Sequence, residues 1–451
     1  MEASLTHLGR ENLSRNQQPG KDRSGPEMAR KYVTLFWHFV VGRDLVRFGW
    51  DDFERRGYQP HFVSCLKAIY SDRAAVRETD SFRNHPRAIA PETRDDLEAF
   101  FDTLAPTDFI LVMVPLTPET LWIFQALDRR GLRYSMIWLG KYPSRFPFEF
   151  TSVATTRRSL VTAVRETVRF LRRLRDRCKL AIAHGLSYFR LRGPMFYIRG
   201  GAFELWLYPL VPHLRRAEVV DVESFETGWL RLAETQGRPT PPRPFAVFLD
   251  EAMGHHPDWA FEGGQPENMP AINADIRRSL AKIEQDTGLP VVIALHPKSD
   301  YSKEAFEEVY GHRLAVKDNT AALVRDADLV ISHASTSNIM AVICRKPIMF
   351  MTNRFIRASR DGLYIDFLAA WLGQAPVEME HLIRADAPPV SVPEINEVGY
   401  ARFMSKFVRT PSAHRGPFWD HVIDRFETRI GRPETGTRLF PEPATAAARR
   451  G

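Results

Sequence analysis

The stretch DLVISHASTSNIMAVICRKPIMFM, residues 328–351, decides the fold. Leu329 to Ile331 are branched and apolar and the run ends at Ser332, too soon for a helix, so Asp328–Ser332 reads as a buried strand. A hydroxyl-rich turn follows, Ser332-His333-Ala334-Ser335-Thr336-Ser337, and the sequence then predicts a helix over Thr336–Cys344. Pro347 cannot continue that helix, and Pro347–Met351 is the next apolar strand. Strands joined through a helix run parallel, and a parallel sheet needs helices on both faces.

The same alternation extends outward in both directions. Phe245–Leu249 reads as a strand, Ala271–Thr287 as a helix closed by Gly288 and Pro290, Val291–Leu295 as a strand, and Asp318 as the cap of a short helix. Nearer the start, Lys31–Trp37, His61–Cys65, Phe109–Val114 and Arg133–Leu139 read as strands. Helices are expected over Asp44–Arg56, stopped by Gly57, and over Pro118–Arg130, ending at Gly131. Between the two series lies Gln236-Gly-Arg-Pro-Thr-Pro-Pro-Arg-Pro244, too proline-rich for a helix or a central strand, and so a stiff linker. The expected architecture is α/β, with two Rossmann-like domains facing each other across a cleft. Its parts are a disordered segment over 1–30, a first domain over 31–236, a linker over 237–244 and a second domain over 245–395. Helices over 396–432, expected to cross back to the first domain, and a disordered tail over 433–451 complete it.

A length of 451 residues with 44% hydrophobic and 26% charged residues suits two soluble globular domains. A net charge of +7 from dispersed Arg and Lys suits anionic partners, phosphates or an acidic membrane face, while the lack of a recognised module argues against nucleic acid. The three cysteines, Cys65, Cys178 and Cys344, are far apart and suggest neither zinc nor a disulfide framework. The first thirty residues lack the apolar core of a secretory signal, and no later stretch is long enough to span a bilayer. A cytoplasmic protein is expected, working at the inner face of the membrane if it binds lipid at all.

In open α/β sheets phosphates gather where strands end at their carboxyl edge and helices begin. The hydroxyls of Ser332, Ser335, Thr336 and Ser337 stand at such a junction and can donate to phosphate oxygens, although Ser335 or Thr336 also fits a simple helix cap. Leu295-His296-Pro297-Lys298 follows another apolar strand directly. Proline stiffens the turn, so the His296 imidazole can donate to a departing phosphate and Lys298 can add a positive contact. A histidine packed at a strand end is the plainer alternative.

Taken together, strand, His-Pro, helix, Asp-Ala-Asp, strand, serine turn, helix, Lys-Pro and strand, over residues 245–352, resemble the donor domains of bacterial surface-polysaccharide transferases. These include the sialyl- and polysialyltransferases, the capsule Kdo transferases and the glycerophosphotransferases that use cytidine nucleotides, all of the GT-B fold. The resemblance implies a metal-independent transfer from a nucleotide-sugar, most fittingly a CMP-activated acidic sugar such as Kdo or a sialic-acid-like sugar, to a surface or lipid-linked glycan. It implies no further cofactor, and nucleotide contacts for His296, Pro297, Ser335, Thr336 and Ser337. Related enzymes hold the ribose with a glutamate after the serine turn, whereas Asn338-Ile-Met-Ala-Val342 has no acid.

A transfer also needs a base for the acceptor hydroxyl. Asp250-Glu251 ends the first strand of the second domain, although its Gly254 comes two residues later than in the sialyltransferase acidic pair. Asp44 stands in the loop after the first strand of the chain. Asp250 is slightly preferred; a helix cap or surface ion pair is the plainer role for either aspartate. Adjacent histidines in His255-His256-Pro257-Asp258 point different ways and lack a third ligand at helical spacing, so no metal is expected. An arginine-rich amphipathic helix over Arg157–Lys179 suits an anionic membrane surface or an ordinary outer helix. A sugar-nucleotide epimerase of the same fold, or a non-catalytic nucleotide- or glycan-binding partner in polysaccharide assembly, are the alternatives.

Overall fold

The computed structural model describes residues 29–37, 40, 42–70, 85–138, 191–201, 217–253 and 268–431, with a few helical positions between 175 and 186. Two sheets carry the fold. The first contains β1 (Lys31–Phe36), β2 (Gln59–Ser64), β3 (Ala88–Ile89), β4 (Phe109–Val112), β5 (Tyr134–Trp138), β6 (Phe196–Gly200) and β7 (Glu218–Val222) in the order β3-β2-β1-β4-β5-β6-β7. The second contains β8 (Ala246–Leu249), β9 (Val291–Leu295), β10 (Ala315–Lys317), β11 (Leu329–Ser332), β12 (Ile348–Thr352) and β13 (Val377–Glu378) in the order β10-β9-β8-β11-β12-β13. All their pairings are parallel.

The continuous apolar runs explain why: β8, β11 and β12 are buried along their whole length, as strands covered on both faces must be. Each sheet starts in its middle, winds one way, then returns and winds the other. Strand order therefore reverses between β1 and β4 and again between β8 and β11, and the loops at the carboxyl ends of those strands part to leave a crevice.

The stretch 328–351 folds as strand, helix, strand, with Val330 in register with Ile348. Its helix is Asn338–Ile343, opening two residues later than expected. Ser335, Thr336 and Ser337 instead form tight turns, their carbonyls accepting from the amides of Asn338, Ile339 and Met340 at 3.2, 3.2 and 3.0 Å. Asp318 is not a cap: it adopts a left-handed backbone at φ 59°, and Asn319 occupies the cap position of the helix Thr320–Asp326. The helix expected over Asp44–Arg56 is two, Gly42–Arg47 and Trp50–Arg55, broken at Gly49. Gly49 has φ 69°, and a Cβ there would lie 2.4 Å from the Trp419 ring.

Trp419 belongs to the last described helix, Phe418–Ile430, which packs on the first sheet although it follows the second in sequence. Its Trp419, Val422, Ile423 and Phe426 share a core with Tyr32, Phe53 and Phe109, and Trp419 Nε1 donates to the Arg47 carbonyl at 3.0 Å. The return path runs through the helix Glu397–Phe403 and a π-helical turn, Met404–Val408. The Ser224 amide donates to the Val408 carbonyl at 2.8 Å, and Val222 at the end of β7 bridges to His414. Gly201 makes this docking feasible, since a Cβ there would meet the Phe407 carbonyl at 2.6 Å. No helix among the described residues is long and apolar enough to cross a membrane. The arginine-rich segment Arg157–Lys179 lies largely outside the described residues, and His255 to Asp258 lies wholly outside them.

Candidate functional site

The carboxyl ends of β8, β9 and β11 are neighbours, and each delivers one sequence-predicted group: Asp250-Glu251, His296-Pro297-Lys298 and the serine turn. Topology alone thus gathers residues far apart in the chain, Asp250 and His296 being 46 positions from each other.

Asp250 is only 4% exposed and fully engaged. Its Oδ1 accepts from the Tyr310 hydroxyl at 2.7 Å, the Ala252 amide at 2.7 Å and the Tyr301 hydroxyl at 3.1 Å, and its Oδ2 accepts from the His296 amide at 3.1 Å. Burial, reinforced by the Asp250 charge, pushes both tyrosine hydroxyls well above their ordinary range, so they remain donors. Neither tyrosine is marked in the sequence: Tyr301 lies in the loop four residues after Pro297, and Tyr310 is the last residue of the helix Lys303–Tyr310.

The loop that Asp250 holds fixes the tautomer of His296. The Lys298 amide lies 3.2 Å from His296 Nδ1 and can only donate, so Nδ1 carries a lone pair and a neutral ring bears its proton on Nε2. Ser299 closes the turn, its amide and hydroxyl donating to the His296 carbonyl at 2.9 and 2.7 Å. The resulting Nε2–H is the donor that the His-Pro reading requires. His296, Pro297 and Lys298 are all partly exposed at this edge.

The serine turn divides into an inner and an outer part. Ser332 is fully buried and its hydroxyl accepts from Asn338 Nδ2 at 3.0 Å, so this member of the expected phosphate set faces inward. Ser335 and Ser337 are half-buried and Thr336 is exposed. Ser335 Oγ accepts from the Ser337 amide at 3.3 Å, and Ser337, at the cap position, makes no side-chain cap bond. Between the two parts sits His333, 1% exposed, with Nδ1 2.6 Å from the Met351 carbonyl. A carbonyl only accepts, so Nδ1 is protonated, and burial depresses the pKa to about 4.

Glu251 is the electrostatic exception. Its Oε1 is buried without a hydrogen-bond partner, and burial followed by the Asp361 charge raises its pKa well above the ordinary value. The nearby Ala334 and Ser335 backbone pulls the other way, and Asp250 adds to the rise. Asp361 stands in the first turn of the helix Arg360–Trp371, its amide held by Ser359 Oγ at 3.2 Å. Nothing in the sequence connects residues so far apart.

Asp44 is brought to the other sheet. It sits in the first turn of the helix Gly42–Arg47, which follows β1 at the first reversal of strand order, and is 2% exposed. Among the described residues no group of three or more His, Cys, Asp and Glu side chains is placed to hold a metal ion.

No family model matches the sequence, and no curated relative does. Solved structures with a similar fold include the wall teichoic acid polymerase TagF, 10% identical, covering 89% of each chain at a TM-score of 0.48. Others are S. aureus MnaA in a co-structure with UDP, 11% identical over 89% of this chain and 97% of that one, at 0.46, and Acinetobacter baumannii MurG, 11% identical over 88% and 99%, at 0.41.

Proposed function

We propose that this chain is a nucleotide-sugar-dependent glycosyltransferase with a GT-B-like arrangement, its donor held at the carboxyl edge of the second sheet and its acceptor at the first. The observation that carries the proposal is the His296 ring, its Nε2–H set as donor at the end of β9, one strand from the reversal of strand order where the serine turn stands. A nucleotide phosphate there meets His296, Lys298 and the outer hydroxyls Ser335, Thr336 and Ser337. As the bond from the anomeric carbon to the phosphate oxygen breaks, charge grows on that oxygen, and a prealigned donor stabilises it more than it stabilises the bound substrate. The acceptor hydroxyl supplies the new carbon–oxygen bond and gives up its proton to a carboxylate.

That carboxylate is better sought away from Asp250, whose oxygens already accept four hydrogen bonds within the fold. We assign Asp250 the positioning of His296 and give the proton to Asp44. The donor that suits the sequence resemblance is a CMP-activated acidic sugar, and the acceptor a bacterial surface or lipid-linked glycan.

The test is nucleotide release from a panel of sugar nucleotides, with and without glycan acceptors. His296→Ala should lower release by about two to four orders of magnitude while leaving the folded protein intact. Near-normal turnover in that variant discards the assignment. A changed sugar without acceptor would indicate an epimerase, and binding without turnover a non-catalytic partner.

A further inference from the structure

The chain that leaves β12 is held by a buried pair. Asn353 is fully buried, and Asp275, from the helix Met269–Thr287, is 6% exposed. Asn353 Oδ1 accepts from the Phe355 and Ile356 amides at 3.1 and 2.9 Å, and its Nδ2 donates to Asp275 Oδ2 at 3.0 Å. Asp275 Oδ1 accepts from the Arg278 guanidinium at 2.7 Å. Buried polar groups cost free energy unless paired, so these bonds fix where the short helix Arg354–Ala358 begins. Arg354, its first residue, is exposed. The guanidinium lies over the Phe355 ring, 4.7 Å from its centroid, which restrains the side chain without using its N–H donors. Glu380 lies beside it, but its Oε1 accepts from the Arg354 amide at 3.0 Å. Arg357, one turn on, is by contrast neutralised by Asp366 at 2.9 Å and by Glu378, whereas among the described residues no carboxylate pairs with the Arg354 guanidinium.

This cation stands beside the serine turn. β12 is the parallel neighbour of β11, with Ser332 in register with Phe350, and His333 Nδ1 donates to the Met351 carbonyl at 2.6 Å. The turn and Arg354 therefore leave the same edge from adjacent strands, which lie about 5 Å apart. Along that edge the order is His296 after β9, the serine turn after β11 and Arg354 after β12. From this placement we infer that Arg354 binds a second anionic group of the donor, next to the phosphate held by His296 and the serine turn, and so selects donors that carry one. That group is either the carboxylate of an acidic sugar or the distal phosphate of a nucleoside diphosphate, since the planar fork of a guanidinium matches both. The inference rests on the donor reading above. Because Asn353 and Asp275 fix the helix start, the guanidinium is presented from a rigid element, and little ordering is left for the ligand to impose.

The experiment is calorimetric binding of CMP, CDP and CMP-N-acetylneuraminic acid to the full chain, to Arg354→Met and to Arg354→Lys, with His296→Ala as the control for the phosphate position. CMP has no second anionic group, so Arg354→Met should bind it within about twofold of the natural chain, and should bind the two-anion ligand that the site takes about ten- to hundredfold more weakly. A loss confined to the acidic-sugar conjugate assigns the carboxylate, and a loss confined to CDP assigns the distal phosphate. Lysine, a point charge, should recover more of a phosphate contact than of a bidentate carboxylate contact. Equal binding of all three ligands by the natural chain and Arg354→Met, with CMP binding lost in His296→Ala, overturns the inference and keeps the donor reading. An equal loss of all three in Arg354→Met also overturns it, because Arg354 would then serve the common phosphate. No nucleotide bound by the natural chain discards the donor reading and the inference with it.

Discussion

At the scale of single residues, the most consequential side chain is Asp250, because it joins three parts of the second sheet's edge. Replacing it with Ala strands the Tyr310 hydroxyl, which is buried, along with the Tyr301 hydroxyl and the His296 amide. The expected cost is about 3 kcal/mol in urea unfolding, with Asp250→Asn losing roughly half as much; a change below about 0.5 kcal/mol would remove Asp250 from the network's centre. His333 makes a prediction in pH. Its folded-state pKa, about 4, lies below the 6.5 of a free histidine, so the unfolded chain binds more protons in that window. Stability should fall as pH drops from 6.5 toward 4, by about 3 kcal/mol from this residue, and His333→Asn should flatten that slope. The sequence exposes the residue types of His-Pro and the serine turn because proline and hydroxyls at a strand end have local consequences. It hides Tyr301, Tyr310 and Asp361, whose contacts arise only when distant elements meet, and it does not show that Ser332 turns inward toward Asn338.

At the scale of elements, apolar continuity carried the strands well, since β8, β9, β11 and β12 are buried runs bounded by turn residues. The short edge strands β3, β10 and β13, of two or three residues, have no pattern of their own and are recruited by a neighbour. Helix boundaries moved where tertiary contacts overrule local preference. Gly49 is the clear case: the sequence around it supports one helix, and Trp419, arriving from 370 residues later, needs the space. Gly49→Ala combines a left-handed backbone with a clash against a packed indole, and should cost about 2 to 4 kcal/mol in urea unfolding. A loss under about 1 kcal/mol would mean that Trp419 shifts freely, contrary to its place in the core.

At the scale of the whole molecule, two sheets wound in the same way are tied by a chain that returns. The first sheet's core is completed by Trp419, Val422, Ile423 and Phe426, so the two halves share a terminal element as well as a linker. A π-helical turn lies on that return path, against Gly201 at the end of β6, which places the tie at the same edge as the strand ends of the first sheet. The alternation of strands and helices announces this architecture in the sequence, because short apolar runs between helices admit few other solutions. That Asp250 is enclosed by hydrogen-bond donors while Asp44 stands at the other sheet is visible only in the packing. The account stands on a nucleotide phosphate binding beside His296. The most direct test is calorimetric or thermal-shift binding of CMP, CDP, UDP, GDP and their sugar conjugates to the purified chain and to His296→Ala. Stabilisation by a cytidine nucleotide that is lost in the variant is the predicted result, whereas no response to any nucleotide, or a response equal in both proteins, would contradict it.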